Sequence, residues 1–392
     1  MDQPDTDRYC AAPFSHLVIK ANGKISPCCL FNSESHGRDS NLRPDLMPNA
    51  NDPDPFFHPW MDRLRLAMLN NEPVAGCAEC HTRQQTTVKT LKSNFNYTYG
   101  RIATPSLRYI EFNLGNLCNF KCRMCDSWSS SKWISDEIAL GKQPSPLRRS
   151  KAQGILKYAD QIDRLRFVGG EPSLEQDLMC EILHGIATVR GSLAHLEVII
   201  TTNAYVRLEP IMISLLQGCR HVNLQASVDG FGCIGDYQRT GSNWETVREN
   251  LLWYQENLSA PFDLYVLTSW SSINVGQAVE FMRMLAHQLP LFKDFGHVIR
   301  TPSWLDIKNI PPSLKDDYKG MLDAWRDQDH LEWARHNKQI LIHQLSQPAD
   351  VDPCTVLEHF QELDRLRGED LQHILPELYK SLIAACEHTN RA

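Results

Sequence analysis

The stretch Arg108-Tyr-Ile-Glu-Phe-Asn-Leu114-Gly-Asn-Leu-Cys118-Asn-Phe-Lys-Cys122-Arg-Met-Cys125 runs a short apolar segment straight into three closely spaced cysteines. Residues 108–114 alternate apolar and polar side chains and are rich in strand formers, which predicts a β-strand. The cysteines that follow have the spacing CxxxCxxC. Thirteen cysteines in 392 residues would produce that spacing by chance about 0.01 times, so it reads as a ligand set. Soft thiolates suit both zinc and iron–sulfur clusters. A structural zinc takes four protein ligands, and an ordinary four-iron cluster takes four cysteines. Three cysteines without a nearby fourth point to an iron left open for an external ligand, with zinc as the competing reading.

Moving outward, the same pattern of strand and polar turn recurs. Strands are predicted at 164–168, 196–201, 222–227, 263–268 and 297–300. The first three of these run into Gly169-Gly170-Glu171-Pro172, Thr201-Thr202-Asn203 and Ser227-Val-Asp229-Gly230. Helices are predicted between the strands at 129–139, 174–189, 209–216, 244–257 and 275–288, the last capped by Asn274. This alternation predicts an α/β fold, a partial (β/α)6 TIM-like barrel of six units. In such a barrel the loops after the strands gather at one face and build the site. Paired glycines let a ligand approach the backbone, and Glu171 can accept hydrogen bonds from an ammonium group. Taken alone, Gly-Gly-Glu-Pro is also a plain strand-to-helix turn. Trp270 is a candidate to face substrate, and residues 301–306 are candidates to pack on an aromatic base.

The three cysteines followed by the Gly-Gly-Glu-Pro turn resemble the radical S-adenosylmethionine superfamily over about residues 105–310. The resemblance implies a [4Fe-4S] cluster on Cys118, Cys122 and Cys125, whose open iron takes the amino and carboxylate groups of S-adenosylmethionine. It implies that Gly169, Gly170 and Glu171 hold the amino group. Thr202 and Asn203 would line the pocket, and Ser227 and Asp229 would contact ribose or carboxylate. Residues 227–244 also look like peptide-modifying members, in which an arginine matching Arg239 lies near the cofactor carboxylate. A solvated surface arginine is the competing reading for Arg239. Met124 stands where the superfamily usually carries an aromatic residue against adenine, and a thioether can pack on that ring as well. The implied activity is reductive cleavage of S-adenosylmethionine to a 5′-deoxyadenosyl radical that abstracts hydrogen from a substrate. A peptide or protein substrate is placed ahead of a sugar or other small metabolite. An electron donor such as flavodoxin or ferredoxin is implied as a partner.

Residues 1–100 are loop-rich, with one amphipathic helix predicted at 60–69. Asn22-Gly23 is a two-residue hairpin signal between short strands at 17–20 and 24–26. Such a hairpin brings Cys10 and Cys28 to one end, and Cys77-Ala-Glu-Cys80 can complete a set of four. This arrangement resembles the twitch type of auxiliary-cluster domain, also called SPASM-like, which implies a second [4Fe-4S] cluster on Cys10, Cys28, Cys77 and Cys80. Twitch domains usually follow the barrel, whereas this one precedes it. The choice between Cys28 and its neighbour Cys29 stays open, with Cys29 read as spare. A structural zinc, unliganded thiols and a c-type haem motif in Cys77-Ala-Glu-Cys80-His81 are the alternatives. Beyond residue 310 the chain reads as helices at 315–328, 330–345, 356–366 and 371–385. The expected domains are therefore 1–100, 101–310 and 311–392. Residues 362–370 resemble the ends of other twitch-containing proteins and are read as surface, a helix stopped by Gly368 and a new one capped by Asp370.

The composition is that of an ordinary globular chain, 42% hydrophobic with formal net charge −7. That charge gives no general attraction to nucleic acid or membrane surfaces. The start Met-Asp-Gln-Pro-Asp lacks a cationic, apolar leader, so a cytoplasmic protein is expected, with no membrane partner. There clustered thiols bind metal more often than they pair. The scattered Cys180, Cys219, Cys233, Cys354 and Cys386 are read as small buried residues. A zinc-stabilised binding module is the competing class of function.

Overall fold

The computed structural model describes residues 7–36, 40–84, 90–326 and 330–389. Residues 1–6, read above for a leader, and 327–328 of an expected helix lie outside the described residues. The strands are β1 (His16–Ile19), β2 (Ile25–Ser26), β3 (Tyr109–Asn113), β4 (Arg164–Val168), β5 (Glu197–Thr202), β6 (His221–Ser227), β7 (Phe262–Leu267), β8 (Ser269–Trp270), β9 (Phe292–Asp294) and β10 (His297–Val298). Eight of them form one largely parallel sheet in the order β2-β1-β3-β4-β5-β6-β7-β9, and β8 and β10 form a separate short pair. The fold is thus α/β, as the alternating pattern predicts.

The chain divides into two compact units. The first comprises residues 1–115, 148–200 and 209–222. In it β3, β4 and β5 pair in parallel, Ile110 beside Leu165 and Leu165 beside Val198. Ile110, Phe112, Leu165, Phe167, Val198 and Ile200 are completely buried. Alternate side chains of a strand share a face, so these six make one apolar layer, each contributing roughly 1.5–3 kcal/mol by burial. The helix Gln176–Arg190 buries Met179, Ile182, Leu183 and Ile186. The hairpin expected at Asn22-Gly23 forms, with Gly23 at φ +79° and Val18 opposite Ser26. Beyond expectation, β1 also pairs in parallel with β3, so the N-terminal hairpin extends the sheet.

The second unit comprises residues 116–147, 201–208 and 223–392. It holds β7, β9 and the helices Trp244–Asn257, Ala278–Gln288, Pro312–Ala324, Glu332–Leu345, Pro353–Arg367, Leu371–Ile374 and Pro376–Thr389. The strand expected at 297–300 forms as β10, paired in parallel with β8, and the strand beside β7 is Phe292–Asp294, which was not expected from sequence. Three residues after a proline are too short to show a period, and burial of Phe292 and Asp294 selects them. Asn274 does not cap its helix. Its Oδ1 accepts from Ser271 N, and its Nδ2 donates to the carbonyls of Asp229 and Ser269. Trp270 is fully buried edge-on against Phe281, so it is core. Trp304 packs on His359 and Phe360 of a C-terminal helix.

The scattered cysteines depart from expectation. Cys354 and Cys386 form a disulfide that ties two C-terminal helices together, and Cys233 is exposed. Cys219 is buried as expected. Sequence spacing could not pair cysteines 32 residues apart, because the pairing depends on two helices packing side by side. Among the described residues no helix is long and apolar enough to cross a membrane.

Candidate functional site

The cysteine loop follows β3 and carries no regular strand or helix between residues 116 and 132. Its thiols nevertheless gather. Cys118 and Cys122 are buried with Phe120, and Met124, Cys125 and Tyr205 pack against them. Phe120 meets the Tyr205 ring edge-on at 5.3 Å. Backbone bonds fasten the loop, Lys121 N to Thr240 O and Arg123 N to Gln238 O, both at 2.9 Å. The hydrogen bond shared with Cys125 holds the Cys122 thiol below its ordinary value, helped by the Arg239 charge, while it and burial push Cys125 well up. The thiolate is the form that ligates metal.

Arg239 is buried beside that loop rather than solvated. Its Nε stands 2.7 Å from Asp229 Oδ2, with side-chain exposures of 13% and 0%. Its Nη1 lies 3.8 Å from Cys122 Sγ. Burial opposes its charge, but Asp229 and the Cys122 thiolate outweigh that, so the guanidinium is held more firmly protonated than usual. Asp229 is fixed in turn, since its Oδ1 accepts from Ser269 N at 2.8 Å. One pocket is lined by Phe120, Asn203, Ser227, Asp229 and Arg239, so four of the expected cofactor residues share it. Its polar edge suits a group carrying an amine, a carboxylate and hydroxyls.

Asn119 was not singled out by sequence reasoning, although it follows Cys118 directly. Its Oδ1 accepts from Asn203 Nδ2 at 2.8 Å. Its own Nδ2 is buried without a hydrogen-bond partner. A buried donor left in that state costs about 1–3 kcal/mol, which fits a site that something polar completes. Thr202 faces its own turn, its Oγ1 accepting from Ala204 N, and Ala204 has φ +58°.

The turn after β4 belongs to the first unit. Gly170 N donates to Gly115 O at 2.8 Å, and a Cβ on Gly169 would meet that same oxygen at 2.8 Å. Only glycine fits there. Glu171 is buried, and its Oε1 accepts from Ser173 N, capping the short helix that follows.

The N-terminal cysteines converge within the first unit. Cys10, Cys28, Cys77 and Cys80 line one pocket whose other walls include Phe31, Met68, Leu91 and Phe95. Cys28 faces this pocket, and Cys29 is exposed. Burial, with the neighbouring Cys80 thiol, pushes Cys10 up to about 11. Burial, with Cys10 and Cys80, pushes Cys77 to about 12. Thiols crowded in an apolar pocket ionise together only when a metal takes their protons' place. Among the described residues, no group of three or more His, Cys, Asp or Glu stands arranged around a single metal ion. The fit to a cluster rests instead on the donor chemistry, three thiols beside a polar pocket and four in an apolar one.

No family model matches the chain. Over 139 residues it is 30% identical to a GTP 3′,8-cyclase of Vibrio parahaemolyticus, a span of 34% of this chain and 37% of that protein. A GTP 3′,8-cyclase of Vibrio atlanticus matches at 31% over the same length. The chain therefore spans little more than a third of these curated relatives. Among solved structures, anSMEcpe with bound AdoMet matches at TM-score 0.42 and 13% identity, covering 57% of this chain and 62% of that one. Streptococcus suis SuiB bound to S-adenosylmethionine matches at TM-score 0.39 and 12% identity, covering 69% and 58%.

Proposed function

We propose that this chain is a radical S-adenosylmethionine enzyme that draws a hydrogen atom from a peptide or protein substrate. The observation that carries the reading is one constellation in the second unit. Three gathered thiols stand beside a polar pocket bounded by Asn203, Ser227, Asp229 and Arg239. When bound there, a [4Fe-4S] cluster with one open iron supplies the electron that splits S-adenosylmethionine into methionine and a 5′-deoxyadenosyl radical. The chain's own residues hold the parts. Cys118, Cys122 and Cys125 ligate the cluster. Asp229 orients Arg239 toward the cofactor carboxylate, and Asn203, bonded to Asn119, offers its amide at the pocket wall. Met124 packs against adenine. A primary alkyl radical attacks most C–H bonds, so the substrate must be held in place for one of them to react.

Cys10, Cys28, Cys77 and Cys80 hold a second, fully protein-ligated cluster in this reading, and a flavodoxin or ferredoxin supplies electrons. Support for the second cluster is the single apolar pocket that these four thiols share. The expected three-part division at residues 100 and 310 belongs to the same proposal. The test is anaerobic purification followed by dithionite and S-adenosylmethionine. About eight irons per chain are expected for two clusters, together with 5′-deoxyadenosine. Cys122→Ala should lose cluster iron and form none. Retention of the native rate by that variant, or stoichiometric zinc in place of iron, would overturn the reading.

A further inference from the structure

The C-terminal segment expected to be surface instead reaches the cysteine loop. Arg123 lies between the second and third cysteines, and its side chain is fully buried. Its Nη2 bonds Asp364 Oδ1 and Glu369 Oε2, each at 2.5 Å. Its Nε donates to Tyr237 O at 3.0 Å, and the guanidinium lies over the Tyr237 ring at 3.7 Å. Asp364 also accepts from Tyr237 Oη and from Leu371 N. Glu369 Oε1 accepts from Thr240 Oγ1, and the backbone of Thr240 holds Lys121. The turn at Gly368, φ +66°, swings Glu369 back beneath Asp364. On the other side of Cys122, Arg367 and Lys121 share Asp136, and Arg367 covers the ring of Trp133. Trp133 Nε1 in turn donates to Cys122 O at 2.8 Å.

Three cations, Lys121, Arg123 and Arg367, meet three carboxylates, Asp136, Asp364 and Glu369. The network therefore adds no net charge near the thiols, and its effect on them is geometric. A loop without regular structure must still hold three sulfurs at fixed spacing, and outer partners that orient ligands supply that rigidity. We infer that Asp364 and Glu369 are positioning residues for the three-cysteine site, acting through Arg123. The last turn of the helix Pro353–Arg367 and the Gly368–Glu369 turn after it are on this account part of the cluster-binding machinery. The inference rests on the cluster assignment proposed above.

The test uses the full chain, reconstituted with iron and sulfide under anaerobic conditions. Variants are Asp364→Asn with Glu369→Gln, Glu369→Gln alone, Arg123→Lys, and Cys354→Ser. The last cuts the helix-to-helix tie without touching the network. Two readouts are taken: the half-life of cluster iron under a chelator, and the electron paramagnetic resonance spectrum of the reduced cluster with and without S-adenosylmethionine. The double variant should lose iron at least about tenfold faster and lose the cofactor-dependent spectral change. Arg123→Lys, which keeps the charge, should retain part of both, and Cys354→Ser should match wild type. Should the double variant fail to fold, Glu369→Gln alone reads the same effect, because that carboxylate, 19% exposed, is the less buried of the two. Wild type without a cofactor-sensitive signal would overturn the cluster assignment itself. A normal wild type with an indistinguishable double variant, or with Cys354→Ser equally impaired, would overturn the positioning role alone.

Discussion

Replacing Asp229 with asparagine removes one charge from the buried pair beside the thiols and leaves the shape intact. At 2.7 Å and an effective dielectric constant near 20, the direct attraction to Arg239 is about 6 kcal/mol. Desolvation of both ions offsets part of it, and the measured cost of stranding one member of a buried pair is about 3–5 kcal/mol. Asparagine keeps the oxygen that accepts from Ser269 N, so the cost is that of the charge. Unfolding entropy near 60 °C is about 2.1 cal/mol/K per residue, or about 0.8 kcal/mol/K for 392 residues. The midpoint should therefore fall by about 4–6 °C, read by calorimetry on the metal-free protein. Arg239→Met should cost a similar amount, because it strands Asp229. The Asp229→Asn, Arg239→Met double variant should be more stable than the sum of the single losses, with a coupling of about 2–3 kcal/mol. A single variant melting within about 1 °C of wild type, or zero coupling in the cycle, would refute the buried pair. Arg239 would then be the solvated arginine that its sequence context equally allowed.

Two further outcomes are expected. Cys28→Ser should lower the iron content from about eight to about four per chain, while Cys29→Ser leaves it unchanged; equal losses from both would contradict the pocket's choice of Cys28. Burial lowers the His16 imidazole to about 3, whereas an unfolded histidine takes its proton near 6.5. Between these values the unfolded chain binds more protons, so stability falls as the pH is lowered through that window and is fully present above it. The contribution is about 1.4 kcal/mol per pH unit. Denaturant unfolding at pH 4–7 should show that slope reduced by this amount in His16→Gln, and an unchanged slope would refute it.

Much of the site was legible because local chemistry announces itself. A triple of cysteines, a glycine pair and an Asn-Gly hairpin are readable in a few residues, each being a short-range requirement of geometry. Gly169 illustrates the limit: its need for glycine is visible in the pair, but the reason is Gly115 O, which belongs to the turn after a different strand. The strand beside β7 escapes the sequence pattern because three residues carry no measurable period, so burial rather than pattern selects them. Asn274 stood where a helix cap belongs, yet its amide was claimed by the carbonyls of Asp229 and Ser269.

By itself, the sequence determined the α/β class, the strand-and-turn order, the three-cysteine loop and the four N-terminal thiols. Each follows from residue type and near spacing. Only the tertiary structure decided which thiol of the pair Cys28 and Cys29 faces the shared pocket, and that Arg239 is buried against Asp229. It also decided that Cys354 joins Cys386, and that Arg123 is held by Asp364 and Glu369 from more than 240 residues away. The physical reason is common to all four. An arginine or a thiol is polar enough to sit on any surface, and only the packing of distant elements supplies the partner that repays its burial.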